Sequence, residues 1–315
     1  MLFLYFLLSF LISLILIPFL KKIAEKKELF DIPQGDVLKI HKKPIPVLGG
    51  LAMLIASILV LLFFCLEKQD FGCKIAAIIS GSLIIFLLGF WDDLKWKHVS
   101  QIKPYFKFLF LIIFPLISGL ILFSSGIKFN FFPEIILAGF FTFLYIFVLI
   151  NAVNYQDGMD GLAGGLVVIS LIGFTVLGLI SENNLALILS LILLGAVSGF
   201  LIFNLPPAKI FMGDSGAYFL GFILAVLAII FSQPYNISSI LGPVFIIGLP
   251  IFDGVFANIR RLFQKKSIFL GDRKHFYDRI LQRGFSARKT LLISYSLQII
   301  SAAIGLLFLT LEFNL

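Results

Sequence analysis

Apolar residues run down this chain in long blocks separated by short polar turns. Ten blocks approach the roughly 20 residues that carry a helix across a bilayer. They lie near 1–20, 48–66, 75–91, 105–124, 132–150, 162–180, 185–203, 214–232, 240–258 and 290–312. The pattern predicts an all-α, polytopic integral membrane protein of about ten transmembrane helices, forming a single domain over 1–315. The first block, "MLFLYFLLSFLISLILIPFLKK", lacks a basic start and an A-x-A-like cleavage site. It is expected as an uncleaved first span.

The connecting loops alternate in charge. Loops 21–47, 92–104, 151–161, 204–213 and 259–289, with Lys107 just inside its helix, hold 22 of the 25 Lys and Arg residues. The opposite loops hold Lys68, Lys74 and Lys128. By the positive-inside rule the first set is cytoplasmic, and both termini lie outside. Twelve of the 17 acids also fall on the cytoplasmic side, giving it a net charge of +10 against −2 outside. Such a face attracts anionic headgroups or a soluble anionic substrate, although topology alone accounts for most of the Lys and Arg.

Composition agrees with the pattern. The chain is 60% hydrophobic and 13% charged, about half the charge of an ordinary soluble domain. Its 38 Phe residues suit a lipid-facing surface. Cys65 and Cys73 are too few for a disulfide framework; free thiols are expected, with a pair on the outer side as the alternative.

Acids do not set topology, so their clustering at cytoplasmic helix ends calls for another cause. "GFWDDLKWKHVSQIKPYFK" places Asp92 and Asp93 where the third span exits. "NAVNYQDGMDGLAGG" places Asn151, Asn154, Asp157 and Asp160 between the fifth and sixth. "FNLPPAKIFMGDSGAYFLGF" places Gly213 and Asp214 at the start of the eighth. Ionisable groups at membrane depth point to a functional site. Each cluster also has a structural reading: a solvated helix end for Asp92–Asp93, helix-packing glycines around Asp157, and an N-cap role for Asp214 or Ser215.

A helix N-terminus, glycines and a carboxylate also describe a metal-bridged phosphate site, in which one or two protein oxygens and substrate phosphates share Mg²⁺. Carboxylates and amides with few His favour a hard cation, Mg²⁺ or Mn²⁺, over zinc. The last cytoplasmic loop adds "GDRKHFYDR", with Arg273, His275, Tyr277 and Asp278 in a dense group. Asp253, near the end of the ninth block, either lines the site or pairs with a neighbouring helix. There is no Walker-type loop, G-x-S-x-G or H-E-x-x-H motif.

Together these motifs resemble the polyprenyl-phosphate N-acetylhexosamine-1-phosphate transferases, glycosyltransferase family 4. The likeness runs from "HKKPIPVLGG" to "HFYDRILQRG". It implies a cytoplasmic-facing cleft where a UDP-N-acetylhexosamine meets a polyprenyl phosphate with Mg²⁺, yielding a lipid-diphosphate-sugar and UMP. By the same resemblance, Asn154 and Asp214 would be metal ligands. Asp92 and Asp93 would be the essential acidic pair, and Lys103 a basic residue near the phosphates. Phe211 would stack on uracil, Asp160 would contact the uridine, and Gly213 would border the substrate. Asp157 would support the charged cleft, and Arg273 and His275 would reach the diphosphate or sugar. Asn151 would anchor its helix end.

Many relatives carry H-x-H-H in the last loop, where this chain has His275-Phe276-Tyr277-Asp278. That departure keeps a modified deoxy amino sugar beside N-acetylglucosamine as a donor. Expected partners are the UDP-sugar, the lipid phosphate and the membrane, with a homodimer as a candidate assembly and no nucleic acid. A membrane transporter is the alternative from another class. It would require charges near the midplane and repeated halves.

Overall fold

The computed structural model describes residues 2–33, 43–67, 71–95, 104–265 and 273–310. Among these, twelve helices and one two-residue strand pair form. The helices are α1 (Leu2–Lys26), α2 (Gly49–Glu67), α3 (Gly72–Lys95), α4 (Pro104–Ser124), α5 (Ile135–Gln156) and α6 (Leu162–Ile180). They continue with α7 (Asn184–Asn204), α8 (Gly213–Ile230), α9 (Ser238–Ile247), α10 (Leu249–Phe263), α11 (Phe276–Gln282) and α12 (Ala287–Thr310). Nine are long and apolar enough to span a membrane, and α9 with α10, bent by 90°, reaches that length and apolarity only when the two are taken together. The chain is therefore a polytopic α-helical membrane protein.

Burial sorts these helices into layers. In α8 almost every residue from Gly213 to Ile229 is buried, because α2, α3 and α5 pack around it. The peripheral α1, α4 and α12 present Phe3, Ile15, Phe19, Leu120 and Leu292 outward, where lipid replaces protein as their apolar solvent. Small residues let backbones approach α8 at its start. A Cβ on Gly50 would lie 2.5 Å from Gly216 Cα, and one on Gly89 2.5 Å from Ser215 Cα. These contacts press the ends of α2 and α3 against the first turn of α8, where the acids are.

The ninth apolar block is not one straight span. It bends by 90° between α9 and α10 at Gly248, whose φ is +57°. A break at membrane depth frees backbone groups that no water can satisfy. Side chains of α12 replace the lost partners. Gln298 Oε1 accepts from Leu249 N at 2.9 Å, and its Nε2 donates to Ile246 O at 2.8 Å. Ser301 Oγ donates to Phe245 O at 2.8 Å. Pro250 sits in the first turn of α10, where a missing N–H costs nothing.

A small strand pair, absent from the helical reading, organises the first loop. β1 (Phe30–Asp31) pairs antiparallel with β2 (Ile45–Pro46). The chain then bridges from Val47 to Phe211, with Phe211 N donating to Pro46 O and Gly49 N to Phe211 O, both at 2.9 Å. "PIPVLGG" thereby holds the turn leading into α8. Cys65 and Cys73 are both free thiols.

Candidate active site

Four helix ends converge where α3 and α5 finish and α4 and α8 begin. Asp214, in the first turn of α8, accepts from Asn154 Nδ2 at 2.8 Å. Asn154 lies in the last turn of α5, so the two proposed metal ligands are direct neighbours.

Asp93, at the end of α3, reaches across to the start of α8. Its Oδ1 accepts from Asp214 N at 3.0 Å and its Oδ2 from Ser215 N at 3.1 Å. The cap of α8 is thus supplied by another helix. This alters the expectation that the helix start would act on a substrate phosphate, since two of its free N–H groups already hold a carboxylate. Gly213 is fixed by the same arrangement. Its φ is +71°, and a Cβ there would lie 2.5 Å from Asp93 Oδ2 and 2.6 Å from Val47 Cγ1. Glycine is therefore required by the turn itself, in addition to any substrate it borders.

Asp92 is almost fully buried beside Asp93, yet its partners are on α4 and α8. Lys107 Nζ lies 2.6 Å from Asp92 Oδ2, and Tyr218 Oη donates to the same oxygen at 3.4 Å. Asp92 Oδ1 is buried without a hydrogen-bond partner among the described residues. Asp92 also interacts directly with Asp214. Lys107 therefore sits among three carboxylates, Asp92, Asp93 and Asp214. Lys103, the basic residue expected near the phosphates, lies outside the described residues, as does His41 of the first loop.

A second cluster adjoins the first through the end of α5. Asp253, buried on α10, accepts three hydrogen bonds. These come from His275 Nδ1 at 2.7 Å, Gln156 Nε2 at 2.9 Å and Phe276 N at 2.8 Å. The His275 ring lies beside Tyr155, with centroids 5.3 Å apart, and stacks on Tyr277 at 6.1 Å. Arg261 lies over the other partner ring, Tyr155, at 5.5 Å. Arg273 Nε contacts Asp278 Oδ1 at 3.3 Å. Burial pushes the Asp278 carboxyl above its ordinary value of 3.8, even with Arg273 alongside. Burial, reinforced by Asp278, Asp253 and Asp157, also raises the Tyr277 phenol.

The remaining expected residues bound the same end of the bundle. Asp160 Oδ2 accepts from Ala208 N at 2.9 Å, tying the α5–α6 turn to the loop before α8. Asp157 caps the end of α5 and interacts with Tyr277. Asn151 donates back to Phe147 O at 2.7 Å and stays within its own helix. The described candidates thus share one end of the protein.

Two residues carry more than the sequence suggests. Lys107 reads from sequence as topological charge, although a lone lysine early in an apolar run is itself a signal. Asp253, expected either to line the site or to pair with a neighbouring helix, pairs with Gln156 of α5 and with His275.

Residues 75–232 match the family described as Glycosyl transferase family 4. The chain belongs to that family. It is 36% identical over 300 residues to the probable undecaprenyl-phosphate N-acetylglucosaminyl 1-phosphate transferase of Bacillus subtilis (strain 168), covering 92% of this chain and 80% of that protein. It is 33% identical over 247 residues to a phospho-N-acetylmuramoyl-pentapeptide-transferase of Streptococcus pneumoniae serotype 2 (strain D39 / NCTC 7466), covering 76% of each chain. A protein of that name from Streptococcus agalactiae serotype III (strain NEM316) is 35% identical over 251 residues, covering 74% of each. The matched family region runs from α3 to α8 and contains Asp92, Asp93, Lys107, Asn154 and Asp214.

Proposed function

We propose that this glycosyl transferase family 4 member transfers an N-acetylhexosamine 1-phosphate, N-acetylglucosamine 1-phosphate first among them, from a UDP-sugar to undecaprenyl or another polyprenyl phosphate. UMP is released, and the lipid-linked product starts a cell-envelope glycan. The observation that carries this reading is the meeting of Asp92, Asp93, Lys107, Asn154 and Asp214 at one set of helix ends. The relative from Bacillus subtilis, whose name specifies N-acetylglucosaminyl 1-phosphate transfer to undecaprenyl phosphate, supports the donor and acceptor. A transporter gains no support from this family. The excess of Lys and Arg on the loops bearing the site favours a cytoplasmic face for the reaction, with both termini outside.

In the proposed reaction, an oxygen of the lipid phosphate attacks the sugar-bearing phosphorus. A new P–O bond forms, and the bond from that phosphorus to the bridging oxygen breaks, with its electron pair leaving on UMP. Both reactants are anions, so charge neutralisation and positioning dominate the barrier. Lys107 supplies a cation beside Asp92, and Arg273 supplies another from the last loop. A phosphate monoester has a second pKa of roughly 6, so the lipid nucleophile is mostly dianionic at neutral pH and gains little from a general base. Should one act, Asp92 Oδ1, which has no partner among the described residues, is the candidate.

The donor set fits a hard divalent cation. Asp214 offers a carboxylate 2.8 Å from Asn154, whose amide oxygen could face the same ion after a turn of the amide plane. Those two residues would hold Mg²⁺ or Mn²⁺, which when bound would neutralise diphosphate charge. An amphiphilic acceptor also finds a complementary surface. An apolar slot of about 450 Å³ on α10 is lined by Leu249, Phe252, Phe256 and Ile259, with Arg260 and Arg279 present for an anionic group.

The test uses purified protein, polyprenyl phosphate, a panel of UDP-amino sugars, and Mg²⁺ or EDTA. UMP release is expected with the metal and not with EDTA. Asp214→Ala and Asn154→Ala should each abolish it while the protein still inserts. Near-normal turnover in either variant would overturn the assignment of those residues.

A further inference from the structure

Asp253, on α10, joins three elements. Its Oδ1 accepts from the backbone N–H of Phe276, and its Oδ2 accepts from both Gln156 Nε2 and His275 Nδ1. The backbone N–H and the Gln156 amide can only donate, so both carboxylate oxygens are acceptors. Nδ1 of His275 must then carry a proton. The other ring nitrogen, Nε2, makes no hydrogen bond among the described residues.

The ring is held as well as bonded. Tyr155 lies on α5 beside it, Tyr277 stacks on it from α11, and Arg261 of α10 lies over Tyr155. Arg273 and Asp278 form an ion pair on its own segment, and Asp278 interacts with His275. Tyr155 directly follows Asn154, so the ring that borders His275 is one residue from the proposed metal ligand.

We propose that Asp253 is a positioning residue for His275: it fixes the Nδ1–H tautomer and directs Nε2 toward the substrate bound at Asn154 and Asp214. Its place on the bent half of the broken span makes that bend part of the site. Gln298 and Ser301 hold the bend at Gly248, α10 carries Asp253 back to the end of α5, and Asp253 sets the imidazole. This inference rests on the transferase reading for its kinetic consequence, although not for its spectroscopic one.

Asp253→Asn separates tautomer from shape. The Asn Oδ1 must stay on the Phe276 N–H, because a backbone donor cannot reverse. The new NH₂ then faces His275 Nδ1 and can only donate to it, forcing the ring proton onto Nε2. Gln156 can turn its amide to match, since its Oε1 is buried without a partner among the described residues. The fold therefore tolerates the change while the imidazole is inverted.

The experiment labels the full-length protein with ¹⁵N-histidine. The chain has three histidines, His41, His98 and His275, and a His275→Gln variant assigns the third. At pH 9 the parent's His275 should carry its proton on Nδ1, and in Asp253→Asn on Nε2. In the UMP-release assay, Asp253→Asn should lower kcat about 10²-fold with KM for the UDP-sugar within about threefold. Asp253→Glu should recover at least about tenfold of the loss. A parent whose His275 is protonated on Nε2 overturns the proposal, as does an Asp253→Asn enzyme with the parent's kcat. A parent that releases no UMP from any donor overturns the transferase reading instead, and the tautomer measurement then decides this inference alone.

Discussion

Lys107→Met separates the two roles that a buried ion pair can play. Lys107 Nζ is 2.6 Å from Asp92 Oδ2, and the Asp92 side chain is 3% exposed, against 29% for Lys107. Removing the lysine leaves a buried carboxylate whose other oxygen already lacks a partner and whose neighbours include Asp214. Breaking one side of a buried pair costs about 3–5 kcal/mol, and the partial exposure of Lys107 places this case at about 3 kcal/mol. For a chain of this length, that is a fall in Tm of about 4–5 °C. Asp92→Asn on the Lys107→Met background removes the stranded charge, so the double variant should regain about 2 kcal/mol of that loss. Thermal unfolding of the four proteins in detergent measures the cycle, and UMP release is followed in parallel. Stability should return in the double variant while activity does not, because the double variant lacks both Lys107 and the Asp92 carboxylate of the proposed site. Additive losses in Tm, or a Lys107→Met protein as stable as the parent, would refute the claim that Lys107 neutralises Asp92.

Three further outcomes follow from the same geometry. Gly213→Ala introduces a side chain at φ +71° and 2.5 Å from Asp93 Oδ2, so it should cost at least about 1–2 kcal/mol and displace the α8 cap, read as a lowered Tm with impaired UMP release. Gln298→Leu strips partners from Leu249 N–H and Ile246 C=O at the break in the ninth span. A loss of about 2 kcal/mol or more is expected in detergent unfolding, and unchanged stability would mean the break is held by other means. Asp278 has a folded-state pKa raised above 3.8 by burial, so the native state holds its proton more tightly than the unfolded chain. That contribution to stability is complete below about pH 3.8 and lost as pH rises through the folded value, so Asp278→Asn should flatten the fall in Tm above pH 4; parallel curves would contradict the sign.

What the chain discloses in one dimension depends on how local the cause is. Spans are legible because a bilayer imposes its own length on apolar runs, and neither α3 nor α5 needs a partner to be recognised. The break at Gly248 is less legible. Gly248-Leu249-Pro250 marks a weak point, but the energetics of a 90° bend depend on Gln298 and Ser301 in another helix. Acids at helix ends stood out as costly, and their type suggested a hard cation and phosphate chemistry. Their division of labour did not stand out. Adjacent Asp92 and Asp93 are alike in sequence, yet one turns to Lys107 and the other caps α8.

That divergence explains why the adjacent acids need not be treated as two equivalent charges at one point. On a helix, neighbouring side chains point about 100° apart, so one carboxylate can face α4 while the next faces α8. Asp93 is compensated by two backbone N–H groups and Asp92 by an ammonium, so the pair's mutual repulsion is met by separate partners. A substitution at Asp93 should therefore act first through the position of Asp214, whose backbone it holds, whereas one at Asp92 should act through Lys107. The α8 turn has little room to absorb such a shift, since Gly50, Gly89 and Gly213 already bring backbone or carboxylate to within about van der Waals contact of it. Close packing of this kind transmits a lost hydrogen bond as a displaced side chain, and so the carboxylate of Asp93 can decide whether Asn154 and Asp214 face one another.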